Sequence, residues 1–357
     1  MMTLESLINV ELSKLSIPKE YQKVEYFITD DKKSLRFIEY ILNDVIQEKA
    51  EIQQLHKVSE ARARHSAITF LFGLVLGRYM PLFSKISTLL TPKKKYDLSV
   101  ELWLLVSLYH DIGYFSEYLR HDKLIYNKVF KYDLLSDAYE GMLGCLLGFE
   151  KQRDDVLAYL YQEILQYDIA ARDYHINDNN ERIDHGILGG YITFNKMIGK
   201  IKGGDTRHEE IIKAKMCALT IAQHNMFKSY SDKDDAVFPG KPEKLTAASN
   251  FKITSQTPLL LFLSLVDTIE CVKKMSKSNN ENAYMETLTV LRLIKIDESN
   301  DWITIDYSDV ERQIVKKNSN ELHSTYKSYL ENVKQLPRWT GLQVEEDNDN
   351  IIMIKCA

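Results

Sequence analysis

Apolar residues recur three and four positions apart from the start of the chain to about residue 276, with little alternation of period two. That spacing predicts helices, which end where Pro, Gly or clusters of Asn and Asp interrupt it. The stretch 31–58 is an example, because one stripe of it carries Leu35, Ile38, Ile41, Leu42, Val45 and Ile46. The same pattern predicts further helices over 60–79, 98–119, 134–149, 154–166, 183–197, 209–226 and 257–276.

The pattern changes after residue 276. Segments 287–297 and 302–308 are rich in β-branched residues that alternate with polar ones, which favours strands. A helix is predicted over 311–336, and two short strands joined by an acidic turn fit 341–357. We therefore predict a mainly α fold in three parts: an N-terminal helical segment over 1–55 that packs on the core, a main helical domain over 56–280 and a small C-terminal α+β unit over 281–357.

Composition and charge narrow the setting. The chain has 357 residues and a formal net charge of −5, which gives no overall attraction to nucleic acid or to anionic membranes. Four scattered cysteines form neither a metal knuckle nor a disulfide framework, and the first residues do not resemble a signal peptide. The apolar run 66–77 is much shorter than the roughly 20 residues that span a bilayer. We expect a cytoplasmic protein with reduced thiols and no membrane association.

Six polar residues interrupt segments that are otherwise apolar. Four histidines stand at the edges of apolar helices, Asp111 directly follows one of them, and Asp267 is the single charged residue in "PLLLFLSLVDTI". A buried carboxylate without a partner is so costly that the group would be neutralised or the helix would turn outward. We therefore infer that six residues converge on one polar centre in the helical domain: His65, His110, Asp111, His185, His224 and Asp267.

A metal ion would supply the positive charge that this set needs. Each histidine alone is more simply explained as a hydrogen-bonded core residue, and Asp267 alone as a cap or a partner of a lysine. Six such residues in five apolar segments make that explanation uneconomical for the whole set. Imidazole nitrogen with carboxylate oxygen suits Mn, Fe, Co, Ni or Zn, whereas oxygen ligands alone suit Ca or Mg. We expect one or two divalent ions of a transition metal, with Mg as the alternative.

The same residues, with their neighbours, resemble a known family. In chain order, "RARHSAITF", "LYHDIGYF", "DHGILGG", "IAQHN" and "LSLVDTIE" are similar to the motifs of the HD-domain metal-dependent phosphohydrolases. The resemblance covers about residues 61–274 and leaves both ends of the chain unexplained. It implies that the domain over 56–280 is an HD-domain-like helical bundle that hydrolyses a phosphoester.

The resemblance also implies how the residues divide the work. One ion is held by His65, His110, Asp111 and Asp267, and Asp111 bridges to a second ion held by His185 and His224. Two cations about 3.5–4 Å apart can share a hydroxide that attacks phosphorus, so no side chain needs to be the nucleophile. The expected catalytic residues are Asp111 and Arg62, since the deoxynucleotide triphosphohydrolase branch also has an arginine three residues before its first histidine.

Phosphate binding also needs donors from the protein. Arginine suits bidentate contact with phosphate oxygens. By their positions along the chain, the candidates are Arg64, Arg120, Arg172 and Lys196. Many family members carry a lysine three residues after the aspartate, where this chain has Tyr114, which can donate a hydrogen bond but brings no charge. Phosphate binding then depends on other residues, or the substrate is unusual.

Three functions follow as hypotheses. The first is a hydrolase of a nucleotide-type phosphoester, whether a nucleotide, a cyclic nucleotide or a single-stranded nucleic acid; the acidic charge balance disfavours long nucleic acid. The second is a nucleotide-sensing or interaction protein that keeps the metal pocket without turnover and contacts a protein partner through its C-terminal unit. The third is a metal-free helical scaffold, which leaves the six polar residues to coincidence.

Overall fold

The computed structural model describes residues 2–45, 60–80, 97–112, 258–270, 272, 282–299, 302–308, 320–337, 342–347 and 351–355, with isolated positions between 186 and 224. The helices predicted over 134–149 and 154–166 lie outside these residues. The positions described between 186 and 197 and between 213 and 221 are helical, as predicted.

Helices make up most of the described chain. In chain order they are α1 (Leu4–Leu12), α2 (Val24–Ile28), α3 (Asp31–Val45), α4 (Glu60–Tyr79), α5 (Asp97–Tyr109), α6 (Pro258–Ile269), α7 (Asn282–Leu293) and α8 (Asn320–Lys334). The strands are β1 (Met2–Thr3), β2 (Ile294–Asp297), β3 (Trp302–Asp306), β4 (Gln343–Glu346) and β5 (Ile351–Lys355). A mainly α fold with a small C-terminal antiparallel sheet is thus confirmed for the part of the chain that the structure describes.

The chain divides into two compact units. One consists of Met1–Leu108 and Ser249–Ala357, and the other of Tyr109–Ala248. The domain boundaries predicted after residues 55 and 280 stay predictions. None of the described helices is both long enough and apolar enough to cross a lipid bilayer.

Helix α3 buries a face that differs slightly from the predicted stripe. Phe37 and Ile38 are fully buried, whereas Leu35, which the stripe included, is only half-buried. The Ser34 hydroxyl donates a hydrogen bond of 2.7 Å to the Phe27 carbonyl, and the Phe27 and Phe37 rings stack with centroids 4.5 Å apart. These two contacts turn Ser34 and Phe37 toward α2, and Leu35 therefore moves to the edge of the face.

Trp103 joins α4, α5 and α6 in the core of the first unit. Helix α4 is buried on all sides over most of its length, as is typical of a helix with apolar residues all around. The Trp103 indole donates to the Phe70 carbonyl at 2.9 Å and meets the Phe262 ring edge-on, with centroids 4.7 Å apart. A Cβ atom at Gly73 would lie 2.1 Å from the indole, so only glycine lets α4 approach Trp103 this closely.

The described strands form one antiparallel sheet in the order β1-β2-β3-β5-β4. Its buried face carries Ile303, Ile305, Ile352 and Ile354. Along β5 the isoleucines alternate with half-buried residues, whereas on β3 Thr304, between Ile303 and Ile305, is also buried. Met2 pairs with Ile296, so the start of the chain supplies an edge strand that the sequence did not predict. A two-residue strand is too short to show a period.

The segment 287–297, predicted as a strand, is helical up to Leu293, and only its last four residues form β2. Leu288 and Leu291 are three residues apart and fully buried, because this face of α7 packs on α1 and α2. Arg292 also donates to Glu5 of α1 at 2.6 Å. Tertiary packing thus overrides the strand preference of the β-branched residues.

Candidate metal centre

Helices α4 and α6 place His65 and Asp267 next to each other in the core of the first unit. Both side chains are almost completely buried, and the His65 Nε2 atom lies 3.2 Å from the Asp267 Oδ1 atom. Each residue belongs to a helix whose other residues are largely apolar, so packing of the two helices carries both polar groups inward. An imidazole and a carboxylate therefore meet where neither reaches water.

Glu270 is a third member of this group that the sequence reasoning missed. Its Oε2 atom lies 2.5 Å from the His65 Nδ1 atom, and its Oε1 atom accepts a hydrogen bond from the Val272 amide, also at 2.5 Å. The residue is buried and directly follows the end of α6. Its signal in the sequence is a second carboxylate three residues after Asp267, since such a pair shares one helix face.

The contact with Glu270 assigns the hydrogen on the His65 ring. A carboxylate oxygen 2.5 Å from Nδ1 accepts a hydrogen bond, so we place a proton on Nδ1. The neutral ring then presents the lone pair of Nε2 toward the Asp267 Oδ1 atom. Two acceptors 3.2 Å apart are stabilised by a positive charge beside both, either a metal ion or a second proton on the ring.

The second unit contains its own group of buried histidine and carboxylate side chains. His110 and Asp111 lie in a turn after α5, closed by a 3.0 Å hydrogen bond from the Ile112 amide to the Tyr109 carbonyl. The helix predicted over 98–119 therefore ends at Tyr109, directly before these two residues, and the part beyond 112 lies outside the described residues. Neighbouring side chains on a helix point about 100° apart. In the turn, the side chains of His110 and Asp111 are not bound to that angle.

Two imidazole rings face the Asp111 carboxylate. The Nε2 atoms of His110 and His224 lie 3.6 Å and 3.7 Å from its Oδ1 atom, and none of the three side chains is exposed. The two rings meet edge-on, with centroids 5.2 Å apart. The His224 Nδ1 atom donates to the Ile221 carbonyl at 2.6 Å, which leaves the lone pair of Nε2 directed toward Asp111.

Gly189, a helical residue without a side chain, lies close to the turn that carries His110. A Cβ atom there would lie 3.4 Å from the backbone oxygens of Tyr109 and His110, and 3.1 Å from the Ile221 side chain. The Thr193 hydroxyl donates to the Gly189 carbonyl at 2.8 Å. The backbone that carries His110 and the residue that orients His224 are thus both packed against Gly189.

The donor types of the second unit, imidazole nitrogen and carboxylate oxygen, are those that bind divalent transition metals. The Nε2 atoms of His110 and His224 lie 3.6 Å and 3.7 Å from the Asp111 Oδ1 atom, and these distances are longer than hydrogen bonds. Ligand atoms that bind one ion at about 2.0–2.2 Å are separated from one another by roughly 3–3.8 Å. Nitrogen and oxygen donors together suit Mn, Fe, Co, Ni or Zn. His65 in the first unit, and His110 and Asp111 in the second, are buried residues of the types that bind metal ions.

The remaining predicted site residues fall into two classes. Arg62 is half-buried on α4, three residues before His65, and Arg64 is buried there and donates from Nε to the Asp31 Oδ1 atom of α3 at 2.5 Å. That bond directs part of the Arg64 guanidinium toward α3. The other residues lie outside the part of the chain that the structure describes: Tyr114, Arg120, Arg172, His185 and Lys196.

Comparison of the chain with models of protein families, with curated proteins and with solved structures gives no match.

Proposed function

We propose that the protein is a metal-dependent phosphohydrolase of the HD type that hydrolyses a nucleotide-type phosphoester. The observation that carries the proposal is the arrangement around Asp111, where two imidazole nitrogens face one carboxylate oxygen at 3.6 Å and 3.7 Å and all three side chains are buried. The order of the motifs along the chain supports the same reaction class. The substrate is a nucleotide, a cyclic nucleotide or a single-stranded nucleic acid.

In the second unit, the residues that would hold a metal ion are His110, Asp111 and His224, with His185 from the sequence motif. In the first unit, they are His65 and Asp267. A divalent ion bound there supplies Lewis acidity and lowers the pKa of a coordinated water toward neutrality. Asp111 contributes negative charge between two ligand nitrogens. The Ile221 carbonyl keeps the His224 ring in the tautomer whose Nε2 atom is a ligand.

Arg62 would bind the phosphate. It lies three residues from His65 on α4, so the two side chains share one side of that helix. A guanidinium is always charged and offers several donors to phosphate oxygens, which neither His65 nor Asp267 can do. Because Tyr114 stands where related motifs have lysine, Arg62 carries more of the charge neutralisation than it would beside a lysine.

The test is product release by the full-length protein from a panel of substrates. The panel contains deoxynucleoside triphosphates, cyclic mono- and dinucleotides and single-stranded DNA, each assayed with Mn²⁺, Ni²⁺, Co²⁺ or Mg²⁺ and with a chelator. Turnover that needs the metal supports the proposal and identifies the substrate class. Metal and nucleotide binding without turnover of any substrate would contradict it and indicate the nucleotide-sensing alternative.

A further inference from the structure

Glu270 combines deep burial with contacts at both of its carboxylate oxygens. One oxygen accepts from the Val272 amide and the other meets the His65 ring, each at 2.5 Å. Its side chain is completely inaccessible to solvent and that of His65 nearly so. A carboxylate is expensive to bury and is retained only where its partners compensate the lost hydration. The partners of Glu270 are a backbone amide, which fixes its position, and an imidazole.

We infer that Glu270 is a positioning residue that fixes the tautomer and the ring orientation of His65. With the proton held on Nδ1, the Nε2 lone pair is directed to the side of the ring where Asp267 lies. Carboxylates that accept from the second nitrogen of a ligand histidine also raise its basicity, and their loss commonly weakens metal binding about 10–100-fold. The inference rests on the proposed function, because it gives His65 the role of a metal ligand.

The two contacts make Glu270→Gln an informative change. The shape of the side chain is kept, but an amide has one oxygen where the carboxylate has two. If that oxygen accepts from Val272, the amide nitrogen faces the His65 Nδ1 atom as a donor. The ring must then carry its proton on Nε2, the atom that would bind metal. If the amide is turned round, its nitrogen meets the Val272 amide, and two donors oppose each other.

The experiment compares the full-length wild-type protein with Glu270→Gln and Glu270→Asp. Binding of Co²⁺ is followed through its visible absorption, and the tautomer of His65 through the ¹⁵N shifts of histidine-labelled, metal-free protein, assigned with His65→Gln. Glu11→Gln is the matched control, since Glu11 is also buried and its two oxygens bind Lys14 and Arg78, each at 2.7 Å. Thermal unfolding without metal shows which variants fold.

The inference predicts a proton on Nδ1 in the wild type and on Nε2 in Glu270→Gln, with Co²⁺ affinity lower by about 10–100-fold. Glu270→Asp, which keeps two acceptors, should recover part of that affinity, and Glu11→Gln should bind as the wild type does. If Glu270→Gln does not fold, the wild-type tautomer and the intermediate affinity of Glu270→Asp carry the test.

Two results overturn the inference: a wild-type His65 with its proton on Nε2, or unchanged Co²⁺ affinity in folded Glu270→Gln. Failure of the proposed function has a different signature, because the wild type would then bind no Co²⁺, or bind it without turning over any substrate, while the tautomer of His65 could still follow Glu270. The two failures can therefore be told apart.

Discussion

The two buried histidine groups orient their rings by different means. His65 is held through Nδ1 by the Glu270 carboxylate, whereas His224 is held through Nδ1 by the Ile221 backbone carbonyl. A carboxylate places negative charge beside the imidazole and depends on a single side chain. A carbonyl adds only a dipole, and its position depends on how the helix is packed. The comparison teaches that one ring can be disturbed by changing a side chain and the other only by moving backbone.

The largest effect should come from Asp111→Asn, which removes the charge that faces both imidazole nitrogens of the second unit. We expect hydrolysis and metal affinity to fall on the order of 10³-fold or more, because a residue of the reacting centre is lost. Far-UV circular dichroism should stay close to that of the wild type. Phosphate release and a Co²⁺ titration measure the loss, with Glu11→Gln as the control. Wild-type turnover by Asp111→Asn would refute the role of this residue.

The second effect is stabilisation of the folded chain by metal. A ligand that binds only the folded state at 100 times its dissociation constant adds about 2.7 kcal/mol to the free energy of unfolding. The midpoint of thermal unfolding of the metal-free protein should therefore rise when Co²⁺ is added. Asp111→Asn should show little or none of this rise. A wild-type midpoint that ignores Co²⁺, Mn²⁺ and Zn²⁺ would favour the metal-free scaffold.

A smaller effect on metal affinity is expected from Gly189→Ala. This variant tests the His224 ring, which is held by the Ile221 backbone carbonyl. The added Cβ atom would lie 3.1 Å from the Ile221 side chain, which must shift by a few tenths of an ångström, and 3.4 Å from the His110 carbonyl oxygen, which is close to an ordinary contact. We expect metal affinity to fall a few-fold, roughly 2–10-fold, as the small end of the loss seen when outer partners of a ligand are disturbed.

Calorimetric titration of Gly189→Ala with Mn²⁺ measures that change, and denaturant unfolding without metal is its control. Unchanged affinity together with unchanged stability would show that crowding at the Ile221 side chain does not move the carbonyl that holds the His224 ring. A loss as large as that of Glu270→Gln would show that backbone support matters as much as a carboxylate.

The smallest effect concerns an exposed carboxylate, in contrast to the buried ones. Hydrogen bonds from Lys334 and Tyr307 hold the pKa of Glu346 below its usual range. The resulting stability is complete above the pKa of the unfolded chain and is lost as the pH falls through the lower folded value. Glu346→Gln should therefore cost less than about 1 kcal/mol at pH 7, as is typical of exposed ion pairs.

Denaturant unfolding of wild type and Glu346→Gln at pH 7 and at pH 3 tests this sign. The difference between the two proteins should shrink as the pH falls below the usual range of a glutamate. A difference that grows toward acid pH would contradict the assigned direction of the pKa.

Helices with a strong apolar period were predicted well from the sequence. Elements that are short, or that depend on packing against distant residues, were predicted poorly. Helix α4 has the predicted bounds, because its apolar residues leave no alternative to burial. The strand predicted over 287–297 was wrong up to Leu293, where the chain is helical. Its β-branched residues favour a strand, but packing of Leu288 and Leu291 on α1 and α2 stabilises a helix instead. The strand β1 could not be foreseen, because its pairing partner is distant in sequence.

The candidate site shows the same division. Candidate metal ligands could be chosen from the sequence because a histidine or aspartate in an apolar helix is conspicuous. Glu270 was missed because it directly follows the apolar run "PLLLFLSLVDTI", at a position where a charged residue is ordinary and suggests exposure. Its contact with His65 depends on how α6 lies against α4, which no local pattern encodes.

The most direct test of the metal centre is a crystal of the full-length protein soaked with Mn²⁺ and measured for anomalous scattering. We predict an anomalous peak within about 2.0–2.3 Å of a carboxylate oxygen of Asp111 and of the Nε2 atoms of His110 and His224. The same soak of Asp111→Asn should show no peak there. A wild-type crystal whose Mn²⁺ lies only elsewhere would contradict the metal centre and the hydrolase proposed from it. A peak that persists in Asp111→Asn would contradict the role of Asp111 as a ligand.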